Sequence, residues 1–345
     1  MTRRESALRS WLRNLLPLAG LLMSIGAHPE SLSADRLGVV YNLDDVTGRN
    51  VALYYAQRRL VPSDNVIGVR LPRTGVISPE TFESVRAGLL SRLPTSVQSL
   101  LLVWSKPWAV GCMSITTAFA AGYRPEFCVP GCGRTEPNPL FNSYGWLPAD
   151  TIGWWPAMLL PTEDKTLAKD LIDRGIAADF GKPHGTLYLV RTGDSKRNVR
   201  AASYGDVEAD VSSTLQVVEL RAPVSHAVPD TIGYFTGTSR VDELPLIQFR
   251  PGALADHLTS TGGVLAGGVQ MPAIAWIAQG ATATYGTVTE PCNLPEKFPD
   301  IDVLFRHYMQ GETALEAYWK SVAMPGQGLF IGDPLARPFA DPMTK

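Results

Sequence analysis

Short apolar runs alternate with segments of helical periodicity beyond position 36. The run LGVVYN (37–42) is followed by a polar turn and a helical segment, and NVIGVRL (65–71) comes next. A helix is predicted from Pro79, because apolar residues between Phe82 and Leu93 recur at three- and four-residue steps on one face. The uninterrupted run VQSLLLVW (97–104) is typical of a strand that is covered on both sides. This order predicts parallel strands joined by helical crossovers.

The alternation returns after an irregular stretch at about 122–155, which is rich in Pro, Gly, Asn and aromatic residues and is expected to form a cysteine-containing capping loop. A loop is also predicted from Pro251 up to a helix at 270–279. The sequence therefore predicts one α/β domain over 35–345, with a mainly parallel, doubly wound sheet and helices on both faces. The other predicted elements are helices at 163–180, 199–215 and 303–322, and strands at TLYLVRT, VVELRA, TIGYFTG and ATATYGTV.

The N-terminus has the features of a secretory signal peptide, with an uncleaved membrane anchor as the alternative. Four arginines within the first 13 residues precede the apolar run LLPLAGLLMSIGA (15–27), which is shorter than the roughly 20 residues of a comfortable bilayer span. Cleavage is expected after Ala27 or Ala34. Removing residues 1–34 changes the net charge from −2 to −4, and no basic footprint for nucleic acid is present.

Four cysteines fit an exported protein, because oxidising compartments favour disulfides. They are Cys112, Cys128, Cys132 and Cys292, and their pairing stays open. A four-thiolate zinc site is the alternative, but such sites normally use two closely spaced pairs. Disulfides are therefore expected, and no metal is assigned.

The motifs IGYFTG, LADHLTSTGG, GATATYGTVTEP and GLFIGDPLARPF carry two resemblances. Over nearly the whole mature chain the sequence resembles an uncharacterised family of exported bacterial proteins found in exosortase-containing genomes. Over about 100 residues it more distantly resembles the gingipain-type cysteine peptidases, which implies a caspase-like sheet. Those peptidases place a His-Gly pair after one strand and a Cys after the next. The matching positions here are Thr236-Gly237 and Thr259-Ser260, so the resemblance implies the scaffold without the dyad.

A serine-based site is the alternative catalytic hypothesis, with Ser260 as nucleophile and His257 as base. Asp256 is badly placed to orient His257, because adjacent side chains in an extended segment point to opposite faces. The simpler interpretation is a capping Asp and a half-buried His. Cys292, close to Glu290, is expected in a disulfide rather than as a nucleophile. The terminal Gly332-Asp333-Pro334 is expected to form a turn.

Polar residues at the predicted strand ends suggest a ligand cleft, because the carboxyl ends of parallel strands share one edge. Asp44, Asp45 and Glu290 are also oxygen ligands of the kind that Ca²⁺ or Mg²⁺ would take. Helix capping by the aspartates, and a Glu290–Lys106 ion pair, are the structural alternatives. The cleft candidates are Asp44, Asp45, Lys106, Thr236 and Glu290, together with Asn42 and Ser105.

The sequence is compatible with two functions. The first is a non-catalytic binding or assembly factor of the cell envelope, with an envelope protein, a peptide or a glycan as partner. The second is a peptidase-like hydrolase that uses non-standard residues. Trp104, Trp108, Trp146, Trp154 and Trp155 surround the irregular loop, and an exposed aromatic cluster there would suit a peptide or a sugar. The missing dyad favours the first function.

Overall fold

The computed structural model describes residues 31–127, 132–145 and 149–342. Thirteen strands lie within these ranges. They are β1 (Leu37–Asn42), β2 (Val66–Val69), β3 (Val76–Ile77), β4 (Ser99–Val103), β5 (Ala109–Val110), β6 (Met113–Ser114), β7 (Ala157–Leu160), β8 (Thr186–Arg191), β9 (Gln216–Arg221), β10 (Val228–Thr236), β11 (Ile247–His257), β12 (Ala283–Thr287) and β13 (Gly328–Gly332).

Nine α-helices lie within the same ranges, and most connect consecutive strands. They are α1 (Val46–Arg59), α2 (Pro79–Leu90), α3 (Ile115–Ala121), α4 (Ala149–Ile152), α5 (Lys165–Ala178), α6 (Tyr204–Val211), α7 (Ile274–Gln279), α8 (Ile301–Met309) and α9 (Ala314–Ser321). Several begin at capping side chains that the sequence supplies. Asp45, Ser78 and Asp164 each accept a hydrogen bond from a backbone amide of the first turn.

Ten strands of the described chain form one sheet in the order β2-β1-β4-β7-β13-β12-β11-β10-β8-β9. Strands β2, β1, β4 and β7 are parallel to one another and form a first group. Strands β12, β11, β10, β8 and β9 are also mutually parallel and form a second group. β13 lies between the groups and is antiparallel to β12.

Contacts at the strand ends show that both groups have their carboxyl ends on the same side of the sheet. The pairing of β13 with β7 is limited to one parallel residue pair, too short to set the direction of a sheet. Beyond the end of β12, the hydroxyl of Thr289 donates to the carbonyl of Cys112, which lies in the turns after β4 (2.9 Å). At the other side, Gly252 in the middle of β11 lies beside the start of β12, where its amide donates to the hydroxyl of Thr282 (2.9 Å), and it packs against Ala178 at the end of α5. We call the shared side the carboxyl edge.

The predicted fold class is confirmed: this is an α/β protein with a mainly parallel sheet and helices on both faces. All residues of β4, β7, β12 and β13 are buried. Because neighbouring residues of a strand point to opposite faces, burial of every position requires a covering layer on each side. α1 and α5 contact each other in one layer, and α8 and α9 contact each other in another.

Several predicted elements differ from the observed ones. The loop expected from Pro251 is wrong, because residues Ile247–His257 form the long strand β11 between β10 and β12. The helix expected at 303–322 is two helices, α8 and α9, separated at Gly311, which has a φ of 91°. A glycine adopts that left-handed conformation at little cost, so the chain can turn there. The helix expected at 270–279 begins at Ile274.

Residues 31–34, which the sequence assigns to the predicted signal peptide or anchor, are part of the folded unit. Leu32 is 1% exposed, and its amide donates to the carboxylate of Glu316 in α9 (2.9 Å). The hydroxyl of Ser31 donates to the same carboxylate (2.6 Å). Residues 1–30 lie outside the described ranges, as do Cys128 and Trp146. No helix of the described residues has the length and apolar character needed to cross a membrane.

The predicted disulfide bonding is confirmed for Cys132 and Cys292, which are joined across 160 residues of sequence. This bond ties the irregular stretch to the segment after β12, and it rules out the four-thiolate zinc alternative. Cys112 is also disulfide-bonded.

Candidate functional site

The order of the strands produces two crossover points on the carboxyl edge. From β1 the chain moves outward to β2 and then returns to the other side of β1 to form β4, so one crossover point lies between β1 and β4. In the second group the same reversal occurs at β8, with β9 on one side and β10 on the other. Crevices at such points, beyond the carboxyl ends of the strands, are the usual ligand sites of open α/β sheets.

The first crossover point is open and holds a polar pocket of about 300 Å³, which we call the crossover pocket. Each of the four strands of the first group contributes to it through the residues that follow the strand. The lining residues are Arg73 beyond β2, Asp45 and Thr47 beyond β1, Ser105 and Lys106 beyond β4, and Thr162 and Glu163 beyond β7.

Asp45 is part of the pocket wall and is held in place by two hydrogen bonds. One carboxylate oxygen accepts from the amide of Gly48 (3.1 Å), which caps α1. The other accepts from the hydroxyl of Thr162 (3.2 Å), beyond β7. A side chain at position 48 would come within 2.8 Å of the carbonyl of Val103, so glycine allows α1 to start this close to β4. The capping role expected for Asp45 is therefore present.

Ser105 is buried at the base of the pocket, with both lone pairs of its hydroxyl occupied. Its oxygen accepts from the amides of Thr162 (2.9 Å) and Glu163 (2.8 Å). A serine hydroxyl offers two acceptor sites and one donor. Among the described residues no group accepts the Ser105 hydroxyl proton, so that O–H is available to donate to a ligand.

Four charged side chains of the lining have no ion-pair partner among the described residues: Asp45, Arg73, Lys106 and Glu163. The Glu290–Lys106 ion pair considered from the sequence is not formed. Lys106 follows the buried Trp104, whose indole N–H donates to the carbonyl of Pro107 (3.0 Å) and holds the turn. The pocket therefore presents two cations, the carboxylates of Asp45 and Glu163, and a hydroxyl donor.

The second crossover point is packed shut. The hydroxyl of Thr192 beyond β8 donates to the carbonyl of Gly237 beyond β10 (2.6 Å). A Cβ atom at Gly237 would lie 2.0 Å from the carbonyl oxygen of Arg197, so the loop after β8 fills the crevice. Thr236 is 1% exposed, and its hydroxyl donates to the carbonyl of Val190 (3.3 Å).

The peptidase-like positions carry buried threonines that serve the backbone and a neighbouring arginine. Thr259 is 1% exposed and accepts from the Nε–H of Arg197 (3.1 Å). The carbonyls of Thr259 and Ser260 both accept from the hydroxyl of Thr287 (3.0 Å each). None of the residues at the peptidase-like positions supplies a thiol or an imidazole.

His257 cannot act as the base for Ser260, so that part of the serine hypothesis is wrong. Its Nδ1 accepts from the indole N–H of Trp276 (2.9 Å), and its Nε2 lies 3.0 Å from the carbonyl of Met271. Because an indole only donates, the proton must sit on Nε2, and both ring nitrogens are occupied. Burial lowers the pKa of His257 to about 4. The ring is neutral and structural.

Asp256 points away from His257, as expected for neighbours in a strand, and pairs with Arg200. Both side chains are almost fully buried. Arg200 also donates to the carbonyls of Thr236 (3.1 Å) and Pro299 (3.3 Å), so it joins the ends of β10 and β11 to the segment before α8. Burial raises the pKa of Asp256, and the Arg200 guanidinium opposes that rise.

The cleft candidates share the carboxyl edge but do not form the one cleft expected of them. Neighbouring strands lie about 4.8 Å apart, so the ends of β1 and β12 are separated by roughly 19 Å and those of β1 and β10 by roughly 29 Å. Asp45 and Lys106 meet in the crossover pocket, with Ser105. Thr236 and Glu290 lie elsewhere along the edge, because β4, β7 and β13 lie between β1 and the strands of the second group.

The cation site considered for Asp44, Asp45 and Glu290 is excluded by the same separation. Asp44 is exposed and pairs with Arg70. Glu290 is exposed and accepts from the amide of Cys292 (2.7 Å). The described residues contain no cluster of three or more His, Cys, Asp or Glu side chains arranged to hold a metal ion.

Sequence reasoning missed four residues of the pocket: Thr47, Arg73, Thr162 and Glu163. Thr162 and Glu163 follow β7, a four-residue strand between the irregular stretch and the next helix that is not among the predicted elements. The apolar run AMLL (157–160), directly followed by a polar turn, was the available signal. Arg73 lies in the short connection between β2 and β3 and carries no such signal.

Comparisons with known proteins give no family. No family model matches the chain, and no curated protein matches it. One solved structure, described as "Structure of Protease", is similar at 12% identity over 89% of this chain and 79% of that chain, with a TM-score of 0.49. The resemblance to exported proteins of exosortase-containing genomes therefore stays a prediction.

Proposed function

We propose that this chain is an exported, non-catalytic binding protein of the cell envelope whose ligand occupies the crossover pocket. The observation that carries the proposal is the contrast between the two crossover points. One is filled by the loop after β8, and the other is open and lined by unpaired charges and the Ser105 hydroxyl. Buried threonines at the peptidase-like positions support binding over catalysis. The arginine-rich N-terminus and the Cys132–Cys292 disulfide support export.

A thermal-shift screen with a pocket-filling variant tests the binding site. Thr47 lies in the first turn of α1 and lines the pocket, so Thr47→Trp places a large ring in the space for a ligand. Thr81→Trp is the matched control, because Thr81 is exposed in the first turn of α2 and lines neither the crossover pocket nor the carboxyl edge. The panel contains amino acids, short peptides and amino sugars at neutral pH.

A ligand at 100 times its Kd stabilises the folded state by about 2.7 kcal/mol, which raises the Tm of a chain of this size by about 4 °C. We expect this rise in Tm for the natural sequence and for the control variant Thr81→Trp, but not for Thr47→Trp. An equal rise in all three proteins would place the ligand elsewhere and contradict the proposal.

The same samples separate binding from hydrolysis. After incubation, mass spectrometry should recover the bound compound unchanged. Cleavage products formed by the natural sequence and lost in Thr47→Trp would instead establish the hydrolase alternative, with the crossover pocket as its active site.

A further inference from the structure

We infer that the ligand of the crossover pocket is a zwitterion of short-peptide size, with its carboxylate end toward Arg73 and Lys106 and its ammonium end toward Glu163. The inference rests on the proposed function and names the chemistry of its ligand. The source is a free amino acid or short peptide, because only a free molecule of this size carries both charges, whereas one end of a larger protein presents the carboxylate or the ammonium alone.

The charges of the lining are arranged in order across the sheet. Arg73 follows β2, the outermost strand of the first group, and Lys106 follows β4, two strands further in. Glu163 follows β7, the next strand. The two cations therefore occupy one side of the pocket and Glu163 the other, with the carboxylate of Asp45 between the cations at the end of β1. A ligand with a single sign of charge would leave one side unpaired, whereas a zwitterion can satisfy both sides.

Asp45 also carries a negative charge, but that charge is partly offset by the N-terminus of α1, which Asp45 caps. Its two oxygens accept from the amide of Gly48 and the hydroxyl of Thr162. The amides of Thr162 and Glu163 are likewise used, on the hydroxyl of Ser105. The Ser105 proton is the remaining buried donor. It lies on the same strand end as Lys106, so it can donate to the carboxylate that the cations attract.

The dimensions suit one or two amino-acid residues. From the end of β2 to the end of β7 there are three strand intervals, or roughly 14 Å. A two-residue peptide in extended form spans about 7 Å, and the two long cationic side chains shorten the gap from their side. The pocket volume of about 300 Å³ is at the small end of the range for small-molecule sites.

Four probes that differ in charge test the inference by isothermal titration calorimetry. Ala-Ala carries both charges, acetyl-Ala-Ala carries the carboxylate alone, and Ala-Ala-amide carries the ammonium alone. N-acetylglucosamine is uncharged and rich in hydroxyls. We expect Ala-Ala to bind most tightly, with acetyl-Ala-Ala and Ala-Ala-amide each weaker by about fivefold, the effect of one exposed charge pair.

Two variants assign each end of the peptide. In Glu163→Gln the preference for Ala-Ala over acetyl-Ala-Ala should disappear, while the preference over Ala-Ala-amide stays. In Lys106→Met the preference over Ala-Ala-amide should fall, because the carboxylate keeps only Arg73 and the Ser105 hydroxyl, while the preference over acetyl-Ala-Ala stays. Glu208→Gln and Lys196→Met change exposed residues of α6 and of the loop after β8, and should leave both preferences unchanged.

The outcomes separate the inference from the proposed function. If the ligand is a zwitterion, N-acetylglucosamine should not bind more tightly than Ala-Ala, and the three peptides should not bind equally. Either of those results would overturn the zwitterion. If that binding is lost in Thr47→Trp, the crossover pocket is kept as the binding site. Binding of Ala-Ala that Thr47→Trp does not change would overturn the site itself. Absence of Ala-Ala binding at millimolar concentration would also overturn the zwitterion. A folded carrier protein that ends in Ala-Ala presents the carboxylate alone, so it should bind no more tightly than acetyl-Ala-Ala, and tighter binding of the carrier than of Ala-Ala would overturn the zwitterion.

Discussion

Arg59, at the end of α1, donates from two of its nitrogens to one carboxylate oxygen of Asp333, which follows β13. The other oxygen of Asp333 accepts from the hydroxyl of Tyr55 (2.8 Å) and the amide of Leu335 (3.1 Å). Asp333 is fully buried, so all of these contacts are shielded from water. The terminal Gly-Asp-Pro motif, expected only to form a turn, thus also fastens the end of the chain to α1.

Replacing Asp333 with Asn should lower the free energy of unfolding by about 3 kcal/mol, because a buried guanidinium loses its charged partner. This loss of unfolding free energy should lie at the low end of the usual range for a broken buried ion pair, because Arg59 also pairs with Asp179. Asp230→Asn is the matched control. Asp230 pairs with Arg250 at the surface, where such pairs contribute less than about 1 kcal/mol. Equal losses in urea denaturation would show that the Asp333 contact is not a buried, stabilising pair.

His257 should make the stability depend on pH between about 4 and 6.5. In the folded state burial lowers its pKa to about 4, below its ordinary value of 6.5. Above pH 6.5 the ring is neutral in both states, and its contribution is fully present. As the pH falls toward 4, the unfolded state takes up a proton that the folded state does not, and about 3 kcal/mol is lost.

The measurement is the unfolding free energy at several pH values for the natural sequence, His257→Gln and His184→Gln. His184 is exposed, so its variant should follow the natural profile. His257→Gln should show a flatter profile over this range, whatever its stability at neutral pH. Identical slopes in all three proteins would mean that His257 is accessible to protons in the folded state.

Neither the natural sequence nor Cys292→Ser should show cysteine-peptidase activity on a broad peptide library. A cysteine peptidase needs a thiolate beside an imidazole, and Cys292 is bonded to Cys132 while His257 is fully engaged. Cys292→Ser should instead lower the unfolding free energy by about 2–5 kcal/mol, because the disulfide closes a loop of 160 residues. Cleavage by the natural sequence under mildly reducing conditions that is absent from Cys292→Ser would contradict this structural role.

A chain that starts at Asp35 should be less stable than one that starts at His28 by about 3 kcal/mol or more. The shorter chain loses the burial of Leu32, worth about 1.5–3 kcal/mol. It also removes two hydrogen bonds from the buried carboxylate of Glu316. Of the two expected cleavage positions, Ala27 therefore preserves the fold better than Ala34. Equal stability of the two chains would show that residues 31–34 contribute nothing.

The sequence predicts those parts of the fold whose signals are local. β1 and β4 are continuous apolar runs, and α2 has a clear helical face, so each is recognisable from its own residues. β13 is not, because GLFIG has only five residues and obtains its place from pairing with β12, more than 40 residues earlier in the chain. β11 was missed because Pro251 and Gly252 read as loop residues, whereas the strand continues through both.

The candidate site also has features that the sequence predicts and features that it does not. Asp45, Ser105 and Lys106 follow recognisable strands, so their meeting at one edge was predictable from the topology. Whether a crevice is open cannot be read from the strand order. The second crossover point is filled because the loop carrying Arg197 lies against Gly237, and that contact depends on the tertiary structure.

Amide chemical-shift mapping tests most directly the claim that the crossover pocket, and not the peptidase-like positions, is the functional site. Ala-Ala is titrated into isotopically labelled protein. If the ligand occupies the crossover pocket, the largest shifts fall at the amides of Lys106, Thr162 and Glu163, with little change at Gly237 and Ser260. Shifts concentrated at Gly237 and Ser260, with Thr162 and Glu163 unmoved, would contradict that claim.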